Sequence, residues 1–241
     1  MDKSFTRLRL LEEKDRLENQ VKSLRRDLLH AYRTHSRFYV AIRSRLVPLD
    51  FFRMVINEAP TGCRIVDIGS GIGYFTLLLA RLRPDIEFLG LELDRDRVKV
   101  ANDVAQSLAV CRARFSEANL YETQFTESFD GVIALDLFHH LNEPASHRLV
   151  HEIYRCLRPG GTLWIKEIDT RPRPQWLFNY AVDRFMAPND QFSFFSLGAR
   201  IQQLKEAGFA EVFGTRLRSF LPYPHIMLRG RKPKDDIGKV P

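Results

Sequence analysis

At 65–73 the sequence reads Ile-Val-Asp-Ile-Gly-Ser-Gly-Ile-Gly. This is an apolar run that breaks into Gly69, Ser70, Gly71 and Gly73, with Asp67 two residues ahead of the first glycine. Glycines in such a turn let the backbone approach a nucleotide closely and take torsions closed to other residues. The spacing is not the G-x-G-x-x-G of dinucleotide sites, where a helix N-terminus faces a pyrophosphate. An acid at position 67 would repel a pyrophosphate, and it suits a ligand that carries positive charge. Glu92 closes the next apolar run, 88–92, where a carboxylate can accept both hydroxyls of a ribose. The competing reading is a glycine turn with unrelated surface acids, and the order of strand, turn, helix and distant acid argues for a binding loop.

A second set of polar residues lies further on. His139 and His140 follow the apolar run 131–135, with Asp136 between, and an imidazole titrates near neutrality. Either histidine therefore suits a general base toward a phenol, an enol or an amine, with capping or packing of the following helix as the alternative. Glu167 and Asp169 end the run 162–168 and are further candidates, or else loop carboxylates and helix caps. In 174–186 five large apolar side chains fall on a short helix, where Trp176 and Tyr180 share one face at i, i+4. They could cover a flat or apolar acceptor, or simply pack as core.

Positioning these groups requires a sheet. Short β-branched runs at 64–68, 88–92, 113–115, 131–135 and 162–168 alternate with helical stretches at 74–82, 95–107 and 143–157. That alternation predicts an α/β fold, a doubly wound sheet with parallel strands and right-handed crossovers. A further helix over 197–207 has Ser196 to cap it and Gly208 to end it. The last strands, 210–220 and 225–228, have no helix between them and should pair antiparallel. Ligands of open α/β sheets bind at the carboxyl edge, which places Asp136 to His140 at the site.

Ahead of all this, residues 5–45 contain neither proline nor glycine, and Leu10, Leu17, Val21, Leu24 and Leu28 mark one face of an amphipathic helix. Barely three heptads are too few to require a coiled coil, so the stripe should pack on its own domain or pair two chains as a homodimer. The expectation is one continuous helix over residues 1–45, with Tyr32, Phe38 and Tyr39 lying over the acceptor pocket. The expected organisation is a helical extension at 1–60, a domain at 61–230 with an acceptor-side insertion at 171–195, and a charged tail at 231–241.

With these pieces in order, residues 64–228 resemble the class I S-adenosylmethionine-dependent methyltransferases, whose domain is Rossmann-like. The resemblance implies that Asp67, Gly69, Ser70, Gly71 and Gly73 hold the methionine part of S-adenosyl-L-methionine and that Glu92 takes the ribose. It further implies that Glu117 and Ala118 lie beside the adenine, with Asn119 nearby, and that Leu93 and Asp136 complete the cofactor contacts. The runs 129–141 and 157–163 look like the fourth-strand motif of small-molecule members and the turn into the fifth strand. In similar enzymes an insertion such as 171–195 walls the acceptor, which makes Tyr39, Glu167, Trp176 and Tyr180 pocket candidates.

Composition agrees with an ordinary globular protein, 44% hydrophobic and 28% charged. The three cysteines, Cys63, Cys111 and Cys156, are odd in number and far apart, which indicates neither a disulfide framework nor a metal site. A charged N-terminus without an apolar run gives a cytoplasmic expectation. Of the +7 net charge, the region before residue 60 holds 13 Lys and Arg against 8 Asp and Glu. The leading expectation is methylation of a small hydrophobic or aromatic acceptor at oxygen, carbon or nitrogen. Two alternatives stay open: an RNA or protein methyltransferase guided by the basic helix, and a cofactor-binding scaffold without catalysis.

Overall fold

The computed structural model describes residues 3–120, 125, 128–171, 173–174, 176–177, 180, 193–217 and 224–235. The expected strand end at 218–220, most of the turn at 221–224, the tail end at 236–241 and much of the 174–186 helix lie outside the described residues.

Three helices lead the chain: α1 (Lys3–Ala31), α2 (Thr34–Leu46) and α3 (Leu49–Glu58). The sheet follows, with β1 (Arg64–Ile68), β2 (Glu87–Glu92), β3 (Ala113–Glu117), β4 (Phe129–Leu135), β5 (Leu157–Ile168), β6 (Ala210–Arg216) and β7 (His225–Arg231). Between its strands run α4 (Tyr74–Leu82), α5 (Arg95–Ser107), α6 (Glu143–Cys156) and α7 (Leu197–Glu206). The strand order is β3-β2-β1-β4-β5-β7-β6, parallel throughout β3 to β5 and antiparallel at β7 and β6. The order reverses between β1 and β4, so α4 and α6 leave toward opposite faces and open a crevice at the carboxyl ends of those strands.

Period-two alternation divides the core in two. Ile65, Ile133 and Trp164 point to the face covered by α1, α3, α4 and α5. Val66, Val132, Ala134 and Ile165 point to the face covered by α6 and α7. As expected, Ser196 caps α7 and Gly208 ends it at φ 99°; the structure adds Asn142 as the cap of α6. The run 157–163, expected as the turn into the fifth strand, is instead the bulged start of β5, with Leu157 opposite Phe129 and Thr162 opposite Gly131. Hydrogen bonds between that segment and Lys232 hold it in the sheet.

The N-terminal extension is not one helix. It breaks at Tyr32 and Arg33, where the sequence carries no helix breaker, because the phenol of Tyr32 is buried and donates a 2.9 Å hydrogen bond to the Ile72 carbonyl. That bond turns the chain toward the 69–73 loop. Val21 and Leu28 on α1 are buried in the same core as Phe51, Phe52 and Phe75. Arg25 stacks on Phe52 and donates to the Val47 carbonyl, while Arg81 of α4 meets Asp27 at 3.2 Å. From Leu17 to Leu28 the apolar stripe is therefore covered by its own domain, and the side chain of Leu10 lies outside the described residues. Phe38 does not lie over a pocket, since it is 73% exposed, whereas Tyr39 rests half-buried against this core.

Tyr32→Phe should keep the packing and lose one hydrogen bond, for a loss of about 0.5–1.5 kcal/mol in denaturant unfolding. Tyr32→Ala should cost about 3–5 kcal/mol, because it also removes a fully buried ring. Equal small effects of both would mean that the extension is not part of the cooperative unit.

Candidate functional site

The loop between β1 and α4 is shaped by its hydrogen bonds. The N–H groups of Gly69 and Ser70 both donate to the Leu91 carbonyl, and Gly73 closes a turn on Ser70. Gly69, Gly71 and Gly73 all take positive φ, at 73°, 58° and 79°. Gly73 has a steric reason as well, since a side chain there would run into Phe115 and Ala101. Gly71 meets no atom where a side chain would point, so its backbone borders open space that a ligand can enter.

Asp67 faces this loop from the end of β1. Its Oδ2 accepts from the Thr76 hydroxyl, and its Oδ1 is buried with no hydrogen bond among the described residues. The Ser70 hydroxyl beside it is likewise buried and unpartnered. Burial first, and the negative charge of Glu92 second, push the Asp67 carboxyl up to about 7, against a lowering by Thr76. A buried acceptor held in this state attracts a cationic group.

Glu92 ends β2 across the crevice. Its Oε2 accepts from the Gly71 N–H at 2.8 Å, and its Oε1 accepts from Leu93 and Asp94 at 3.0 and 3.1 Å. Each carboxylate oxygen has more than one acceptor site, so a pair of ligand hydroxyls can still be received. Leu93 is exposed, Ala118 donates its N–H to the Glu92 carbonyl, and Glu117 pairs opposite Glu92 in the sheet. The structure thus brings Asp67, Ser70, Gly71, Glu92, Leu93, Glu117 and Ala118 to one edge, as the motif spacing implies.

Asp136 stands apart in its partners. It takes φ 48°, a conformation that Asp tolerates better than most residues, and both carboxylate oxygens accept from the Lys166 ammonium, at 2.7 and 2.8 Å. Lys166 was not among the expected site residues, because a lysine inside an apolar strand is indistinguishable in sequence from a solvated one.

The two histidines differ. His139 is buried, and its Nδ1 lies 2.8 Å from Glu167 Oε2, while Glu167 Oε1 accepts from the Phe138 N–H at 2.7 Å. Burial acts to raise Glu167, but His139 and then Arg200 outweigh it and hold the carboxyl below its ordinary range. In the neutral ring, an Nδ1–H donated to that carboxylate leaves Nε2 as the acceptor nitrogen. His140 is half-buried and contributes a ring 4.3 Å away. Phe194 stacks parallel on His139 at 5.5 Å, and Trp176 and Tyr180 both meet Phe194 edge-on. Arg200, also outside the expected set, is buried between Phe138 and Phe195 and bonded to Ser146 and Gln203. Asp169 belongs to the frame instead, accepting from Arg216 and from the Leu197 N–H.

Residues 65–161 match a protein family described as a methyltransferase domain. A ubiquinone biosynthesis O-methyltransferase of Xanthomonas oryzae is 27% identical over 126 residues, which cover 52% of this chain and 51% of that protein. A demethylmenaquinone methyltransferase of Thermus thermophilus is 28% identical over 130 residues, covering 54% and 57%. These matches take in only about half the length of either relative. Among solved structures, the apo form of the S-adenosylmethionine-dependent methyltransferase SibL shares the fold at a TM-score of 0.66. It is 19% identical and covers 90% of this chain and 69% of that one.

The raised Asp67 carboxyl has a stability signature. The unfolded residue ionises near 3.8 and the folded one near 7, so the penalty is absent below about pH 4, grows as pH rises, and is complete above pH 7. Asp67→Asn should therefore raise the thermal midpoint of the ligand-free protein at pH 8 and leave it nearly unchanged near pH 4. A variant less stable than wild type at pH 8 would show that the carboxylate is compensated after all.

Proposed function

We propose that this protein, whose residues 65–161 form a class I S-adenosylmethionine-dependent methyltransferase domain, methylates a small apolar or aromatic acceptor at a hydroxyl oxygen or activated carbon. S-adenosyl-L-methionine is the cofactor of that domain, and it supplies an electrophilic methyl group. The residues present fit it. Asp67 Oδ1 and the Ser70 hydroxyl are buried acceptors awaiting a partner, Gly71 borders open space, and Glu92 offers acceptor sites for the ribose. Glu117, Ala118 and Leu93 are the residues we assign to the adenine side.

The acceptor reading rests chiefly on one observation. An aromatic group of Phe194, Trp176 and Tyr180 stacks over a buried His139 that is oriented by Glu167. Such a wall selects a flat, apolar molecule, and exclusion of water strengthens any charge interaction inside it. We assign to His139 Nε2 the removal of the acceptor's hydroxyl proton, with Glu167 stabilising the imidazolium that forms. Holding the nucleophile in line with the methyl group supplies much of the remaining acceleration. Asp136 and Lys166 neutralise each other and position the end of β4. The names of the quinone-pathway relatives support an acceptor of this kind. Tyr39 has the weaker support, since it packs on the core.

Calorimetry with S-adenosyl-L-methionine or its demethylated product should show binding that Glu92→Ala weakens by about 1–3 kcal/mol, the usual worth of charge-assisted hydrogen bonds. No heat from the wild type with either molecule would remove the cofactor reading. Separately, with a soluble phenolic or quinol acceptor, His139→Asn should lower kcat about 10²–10⁴-fold with little change in cofactor affinity, and His140→Asn should matter far less. Turnover near wild type in the His139 variant would leave positioning alone as the mechanism.

A further inference from the structure

We propose that the carboxyl edge of this protein, through α2 and segment 171–180, docks on an anionic phospholipid bilayer. This inference goes beyond the catalytic reading and does not depend on it.

The placement of α2 follows from its two ends. Before it, Tyr32 is bonded to the glycine loop at the carboxyl edge. After it, Phe51 and Phe52 at the start of α3 pack on Phe75 at the start of α4. The carbonyls of Ile56 and Ala59 at the far end of α3 accept from Arg83 beyond the end of α4. Thus α3 and α4 run side by side away from that edge, and α2 lies across it. Arg171 stands three residues after the carboxyl end of β5, and Trp176 and Tyr180 touch Phe194, the ring stacked on His139. Both elements therefore share the end of the molecule that holds the candidate site.

They also share a surface chemistry. On α2, Phe38 and Ile42 stand one turn apart at 73% and 43% exposure, with Arg33 and Arg37 exposed nearby. On the other segment, Leu177 and Tyr180 are 55% and 39% exposed, with Arg171 and Arg173 exposed ahead of them. Between Asp27 and Asp50 the sequence has Arg33, Arg37, Arg43 and Arg45 and no acidic residue, and between Asp169 and Asp183 it has two arginines and none. Large apolar side chains projecting among arginines, in two stretches of sequence that carry no acidic residue, are what an interfacial helix presents to anionic lipid. Among the described residues no helix is long and apolar enough to cross a membrane, so contact would be with its surface.

Charge also separates the possible occupants. A second copy related by a two-fold axis would set these arginines against their own images. Nucleic acid would use the arginines but leave Ile42 and Leu177 without a role. A bilayer uses both features.

The test is flotation of the full chain with vesicles of phosphatidylcholine alone and of phosphatidylcholine mixed with phosphatidylglycerol. Wild type should float only with the anionic vesicles and detach as salt rises. The double variant Phe38→Asp with Ile42→Asp should bind at least about tenfold more weakly at an unchanged thermal midpoint, since buried apolar area sets interfacial affinity. Should that variant fold poorly, Leu177→Asp is the second one, with the same expectation. No flotation of wild type, or flotation unaltered in both variants, would overturn the proposal. So would a wild-type dimer in analytical ultracentrifugation that the double variant turns into a monomer, because a second copy would then cover this face. A loss of single-stranded RNA binding in place of vesicle binding would overturn it equally.

Discussion

Desolvation of carboxylates along one edge of the sheet is the constraint on which the rest of the structure turns. Asp67, Glu92, Asp136, Glu167 and Asp169 are all buried there. A buried charge is tolerated only with a partner. Glu92 has three backbone N–H groups, Asp136 has Lys166, Glu167 has His139 and a backbone N–H, and Asp169 has Arg216. Asp67 has one hydroxyl. The carboxylate that the fold leaves least compensated is the one facing the glycine loop, and that imbalance marks where a cationic ligand belongs.

The same edge shows how stability gives way to function. A fold that neutralised Asp67 internally would be more stable and would bind a cation less well, because the ligand would have to displace an existing partner. The arrangement around Glu167 illustrates the opposite choice. There the carboxylate has both a ring nitrogen and a backbone N–H, and the result is a histidine ring held in one orientation against Phe194.

The N-terminal extension is tied to this edge by the hydrogen bond of Tyr32. Tyr32 reaches the Ile72 carbonyl inside the glycine loop, so the helices that look like an appendage help to set the loop's backbone. Having turned there, the chain continues into α2, with Val40 and Ser44 inward and Phe38 outward, so the helix is core on one side and exterior surface on the other.

Sequence by itself determined the alternation of strands and helices, the α/β class, the cap at Ser196, and the glycine turn at 69–73 with Asp67 ahead of it and Glu92 at the end of the next strand. These are local signals, since period, glycine torsion and cap chemistry act over a few residues. Only the tertiary structure decided which polar groups pair. Asp136 with Lys166 and His139 with Glu167 join residues just after β4 to residues of β5 about thirty positions on, and the pairing of β4 with β5 rather than spacing makes them neighbours. The break in the N-terminal helix was equally invisible, because nothing at Tyr32 or Arg33 disfavours helix locally. A buried hydrogen bond to a distant loop outweighed propensity there, as tertiary context does whenever the local preference is worth only tenths of a kcal/mol per residue. The bulged start of β5 has the same origin: a Pro-Gly-Gly stretch that reads as a turn was drawn into the sheet by the strands on either side.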